Sequence, residues 1–90
     1  MYYKVADNAL VKTLDDGAMA LNTATGAYYS LNETAAQMWL LMEEGHSDAE
    51  IVETIVTQYE VLPQVVEGDL SRLIRDLLDL GLVTERTGME

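Results

Sequence analysis

Apolar and polar residues change from a strand-like to a helical period near Asn32. Before that point, short β-like runs alternate with turn signals. Ala9-Leu10-Val11-Lys12-Thr13-Leu14 leads into Asp15-Asp16-Gly17, a tight-turn signal in which glycine can take positive φ. Ala18-Met19-Ala20-Leu21 alternates small and large side chains, as a strand with one face on a core does. Asn22-Thr23-Ala24-Thr25-Gly26 is a second turn, with Gly26 at the left-handed position. In Ala27-Tyr28-Tyr29-Ser30-Leu31, Tyr29 and Leu31 share one face while Tyr28 and Ser30 take the other. The expected unit is a three-stranded antiparallel meander.

From Asn32 the period is helical. Asn32 is a good N-cap, and Glu33 sits in the first turn, where a carboxylate meets the positive end of the helix dipole. Ala35, Met38, Trp39 and Met42 form one apolar face, and Gly45 stops the helix. Ser47-Asp48-Ala49-Glu50 fits a capping box ahead of the stripe Ile51, Val52, Ile55, Val56 and Tyr59. Pro63 suits the first turn of a third helix, because its missing N–H would be unpaired there anyway. Val66, Leu70, Leu73, Ile74, Leu77 and Leu78 carry that helix to Gly81. Leu82-Val83-Thr84 reads as a closing β-like tail, with fraying expected from Glu85 onward. The fold class expected is α+β and winged-helix-like: a three-stranded antiparallel sheet followed by three helices, in a single domain over residues 1–90.

Charge adds the next constraint. Sixteen acids against five Lys and Arg give a net charge of −11, and no Lys or Arg lies between Lys12 and Arg72. Such a surface repels phosphate backbones and anionic membranes, so neither nucleic acid nor membrane is an expected partner. A neutral or basic peptide or protein would be steered toward it, although acids also serve simply to keep a small protein soluble. The start Met1-Tyr2-Tyr3-Lys4 lacks the apolar stretch of a signal peptide, and the cytoplasm is the expected compartment.

Enzyme chemistry finds few parts. Cysteine is absent, and His46 is the single histidine, in a Gly45-His46-Ser47 connection. Nucleophile–base pairs and histidine metal sites therefore lack components, and no metal or cofactor is expected. Asp15-Asp16-Gly17 lacks the alternating ligands and terminal Glu of a calcium loop. An acyl-carrier role would need a serine at a helix start in an Asp-Ser-Leu setting, whereas Ser71 falls in Gly68-Asp69-Leu70-Ser71, inside the third helix. A winged-helix DNA binder would use that third helix for recognition, yet Arg72 and Arg75 stand there against Glu67, Asp69, Asp76 and Asp79. Only a transcription-associated adaptor that binds another protein survives from that class.

What remains is a surface able to accept a strand. The first or the third strand of a meander must be an edge, and an edge can take an extended peptide by β-augmentation. If Ala27 to Leu31 is that edge, Tyr28 and Tyr29 are suited to grip a peptide. On the residues alone, the plainer reading is that Tyr29 and Leu31 are core and Tyr28 an ordinary exposed strand residue.

The run Thr25-Gly26-Ala27-Tyr28-Tyr29-Ser30-Leu31-Asn32-Glu33-Thr34, followed by Trp39, resembles the Gly-x-Tyr-Tyr-x-Leu-Asn-x-Thr…Trp signature of PqqD-like domains. These are recognition elements of ribosomal peptide natural-product pathways. The resemblance extends over about residues 9–84, through Gly45, Asp69, Leu70 and Leu80-Gly81-Leu82-Val83. It implies that the leader segment of a precursor peptide adds as a strand to the third strand of the meander, in a groove against the third helix. The domain itself is then non-catalytic and delivers the leader to a modifying enzyme. By position, Ala27, Tyr28, Tyr29, Ser30 and Leu31 would pair with the leader through main chain, and Asp69, Arg72, Leu73 and Asp76 would line the opposite wall. The chain looks most like the split recognition proteins of lasso peptide pathways, which work beside a leader peptidase and a cyclase. The alternative is a PqqD-type peptide chaperone for a radical-SAM enzyme.

Overall fold

In the computed structural model, which describes residues 2–86, the elements run β1 (Tyr2–Val5), β2 (Ala9–Leu14), β3 (Gly17–Asn22), β4 (Tyr28–Asn32), α1 (Glu33–Glu43), α2 (Asp48–Tyr59), α3 (Pro63–Asp79) and β5 (Val83–Arg86). The meander is present: β2, β3 and β4 form an antiparallel sheet in that order, and β4 is the third strand of the sequence reading. The three helices follow it, so the chain has the α+β, winged-helix-like arrangement expected.

Local chemistry sets the boundaries. Asn32 ends β4 and caps α1, its side chain accepting the Ala35 N–H at 2.8 Å. Ser47 and Glu50 make both bonds of the capping box at the start of α2. Pro63 opens α3, and Gly26 holds its turn at φ 82°. Gly17 differs from expectation, because its φ is not in the left-handed region. Its lack of a side chain matters through close approach instead: a Cβ at this position would lie 2.1 Å from the Leu31 carbonyl oxygen of β4.

The core lies between the sheet and the helices. Ala18, Ala20 and Leu31 point down from the sheet, and Met38, Trp39 and Met42 rise from α1. Leu41 of α1, Ile51 and Ile55 of α2, and Val66, Leu70, Leu73, Ile74 and Leu77 of α3 belong to the same cluster.

The sheet reading was incomplete at the ends of the chain. β1 and β5 pair antiparallel as a second, two-stranded sheet, with Tyr2 opposite Arg86 and Tyr3 opposite Glu85. Glu85 and Arg86 are thus strand residues rather than a frayed tail, and residues 87–90 lie outside the described part. Tyr3, Leu82 and Val83 are buried, which gives this small sheet its hold on the core.

Asn22 is the buried polar residue among the described positions. Its Oδ1 accepts the N–H groups of Ala24 and Thr25 and an N–H of the Asn8 side chain. Its Nδ2 donates to the Leu80 carbonyl at 2.9 Å, which ties the β3–β4 turn to the end of α3. With every polar atom engaged, burial of this amide costs little.

Candidate functional site

β4 is an edge of the three-stranded sheet, and its register shows which main-chain groups are open. The Asn22 N–H donates to the Ala27 carbonyl at 2.7 Å, which sets the phase of the β3–β4 ladder. In an antiparallel pair, bonded and non-bonded positions alternate. The pairs Ala20–Tyr29 and Ala18–Leu31 therefore exchange bonds with β3, and the N–H and C=O groups of Tyr28 and Ser30 face away from it. Ala27 precedes the strand. Its N–H donates to Thr25 Oγ1 and its carbonyl faces Asn22, so the open main chain is centred on Tyr28 and Ser30.

Side chains sort by face as the alternation requires. Leu31 is buried under the sheet, while Tyr28 stands 65% exposed on the opposite side. Tyr29 turns toward α3 and donates its hydroxyl to Asp76 Oδ2 at 2.8 Å. That bond, with burial and the Asp76 charge, raises the Tyr29 pKa above its ordinary value, and Arg72 offsets part of the rise. The phenol is the donor in this bond and fixes the spacing of β4 and α3 at one point.

Beside this bridge lies a groove of about 300 Å³ between β4, the start of α1 and α3. Tyr29, Ser30 and Asn32 line the strand side, and Asp69, Arg72 and Leu73 line the helix side. Leu73 is also core, as is Val66 beneath the same groove. Asp69 and Arg72 form an exposed ion pair at 3.7 Å, of the kind worth little to stability. Asp76 acts differently from its neighbours: it holds Tyr29 and is not part of the groove lining.

The sequence reading missed Val61 and Val65, both exposed at the groove, and Tyr59 beside them. The signal was available, because Val65 is apolar yet falls off the core stripe of α3. His46, by contrast, lies far along the chain between Glu44 and Glu50, at 3.7 Å from each. Among the described residues, no group of three or more His, Asp or Glu is placed to hold a metal ion, and no helix is long and apolar enough to cross a membrane.

This geometry has counterparts. No curated protein sequence matches the chain significantly. Among solved structures, TbiB1 in complex with the TbiA(beta) leader peptide is 32% identical, with a TM-score of 0.83 over 93% of this chain and 98% of that one. A lasso peptide synthetase B1 complexed with the leader peptide is 27% identical, with a TM-score of 0.83 over 94% of this chain and 100% of that one. The family model for coenzyme PQQ synthesis protein D (PqqD) matches residues 17–83, from the first residue of β3 to the first of β5, and the chain belongs to that family.

Proposed function

We propose that this protein binds the leader segment of a ribosomally made precursor peptide without catalysing a reaction on it. The leader adds as a strand to β4, and the protein delivers it to a leader peptidase or other modifying enzyme of a lasso peptide pathway. The observation that carries this reading is the open edge at Tyr28 and Ser30, set beside a groove whose far wall is α3. Main-chain bonds at such an edge give affinity, and alternate side chains of the guest enter the groove to give choice. The two similar structures, both solved with leader peptides bound, support the same assignment.

Val61, Val65 and Leu73 suit apolar guest side chains, while Asp69 and Arg72 offer one charge of each sign. Tyr29 and Asp76 hold the groove open rather than touch chemistry, and Asp69 is paired with Arg72. A net charge of −11 opposes nucleic acid and anionic membrane as partners. The setting we infer is the cytoplasm, where a ribosomally made precursor is first available. The family description favours one second reading, a PqqD-type chaperone for a radical-SAM enzyme. The identity of the leader that binds separates the two.

The test is titration of fluorescently labelled leader segments, read by anisotropy, on the parent protein and on Ser30→Pro. The Ser30 N–H points away from β3, so proline there leaves the β3–β4 ladder intact and deletes one outward donor. Saturable binding by the parent and its loss in a folded Ser30→Pro variant is the expected result. Undiminished binding by that variant would put the peptide elsewhere.

A further inference from the structure

Helix α3 has a second flank. On it, a trough of about 660 Å³ runs between α3 and the first turns of α2. Its apolar lining is Tyr3, Ala49, Val52, Leu70, Ile74 and Leu78. Its charged lining is Asp48, Glu67 and Asp79 against the single guanidinium of Arg75. The lining on α3 extends from Glu67 to Asp79, about 18 Å of helix at 1.5 Å per residue. No residue of this trough also lines the groove at β4.

We infer that this trough docks the enzyme that receives the peptide, by accepting a helical segment with apolar residues at i, i+3, i+4 and i+7 flanked by Lys or Arg. The inference rests on the delivery role proposed above. Delivery requires the carrier to hold peptide and enzyme together, and two sites with separate walls on one helix permit that. Three turns of an incoming helix match the length of the trough, and helix-in-groove recognition uses this apolar spacing. Glu67 and Asp79 on the α3 side select a basic rim on the guest and disfavour an acidic segment or a second copy of this chain, itself at −11.

The experiment is an NMR titration of ¹⁵N-labelled protein with a Leu/Lys amphipathic peptide of about four helical turns, with and without a bound leader segment. A Leu/Glu peptide of the same spacing is the control. Shifts are expected at Ala49, Val52, Ser71 and Leu78 with the leader still bound, and none with Leu/Glu. The double charge reversal Glu67→Lys, Asp79→Lys, at two exposed positions, is expected to weaken the Leu/Lys peptide by about tenfold or more and leave leader affinity unchanged within about twofold. Equal binding of the Leu/Glu peptide, shifts confined to the β4 groove, or displacement of one peptide by the other would overturn the assignment. If the leader binds and the trough stays silent, this assignment alone falls. If no leader binds to the parent, the recognition reading falls and takes this one with it.

Discussion

Two glycine-to-alanine substitutions are expected to move stability in opposite directions, for reasons visible in the space around each. At Gly17 an added Cβ would sit 2.1 Å from the Leu31 carbonyl oxygen and 3.2 Å from two main-chain atoms of Asn32. Contacts of this kind settle at about 3.5 Å, so β4 must move out by more than about 1 Å or β3 must twist. Neither neighbour is a flexible side chain. Overpacking of this type costs about 1–3 kcal/mol. A chain of this length has a total stability of roughly 5–13 kcal/mol, so the loss is a large share. At Gly68, inside α3, nothing lies within 4 Å of the added Cβ and φ is ordinary. Alanine there restricts the unfolded chain and favours helix, for a gain of about 0.5–1 kcal/mol. Urea unfolding read by circular dichroism gives both values from the midpoints, provided the slopes are unchanged. In thermal melts each kcal/mol moves the midpoint by roughly 4–8 °C for a domain of this size. Gly17→Ala within about 0.5 kcal/mol of the parent, a surface-like effect, would refute the steric argument. Gly68→Ala less stable than the parent would refute the other.

Asn22→Ala removes one donor and one acceptor that together serve four partners, and leaves the Leu80 carbonyl unpaired in a part-buried site; a loss of about 2–3 kcal/mol is expected in the same urea assay. Tyr29→Phe deletes the bond to Asp76 and should cost about 1–2 kcal/mol, with weaker leader binding in the anisotropy titration as the groove loses its fixed width. The same bond sets a pH dependence. The folded pKa of Tyr29 lies above its ordinary 10.0, so its contribution is complete below about pH 10 and is lost as pH rises through the folded value. Urea midpoints taken between pH 8 and 11, a range centred on the ordinary tyrosine pKa of about 10, should fall more steeply in the parent than in Tyr29→Phe; parallel curves would show that Tyr3 or another group carries the effect.

Local signals carried the sequence reading a long way. Caps such as Asn32 and Ser47 act within three residues, and the alternation through Tyr28, Tyr29, Ser30 and Leu31 is a property of one strand. These are short-range effects, so they are legible without partners. β1 was not, because Tyr2-Tyr3-Lys4-Val5 is a strand only through pairing with residues some eighty positions away. Nothing local distinguishes such a run from a tail, and the same blindness made Glu85 look frayed. At the site, the sequence and its resemblance brought β4 and α3 together and named Tyr29 and Asp76. The bond between those two spans 47 positions and emerged only from the fold. Val61 and Val65 escaped because an apolar residue off a stripe has no meaning until the neighbouring groove is known.

The pairing of Tyr2 with Arg86 has a consequence for how this unit can be joined to others. These two residues lie across one strand pair, about 5 Å apart, which is the gap a surface loop of another protein can span. The unit could be spliced into such a loop without stretching host or guest, and a circular permutant opened at an exposed turn should keep its edge strand intact. Grafting between enzymes thus becomes a matter of cutting at one place, with β4 and its groove carried along undisturbed.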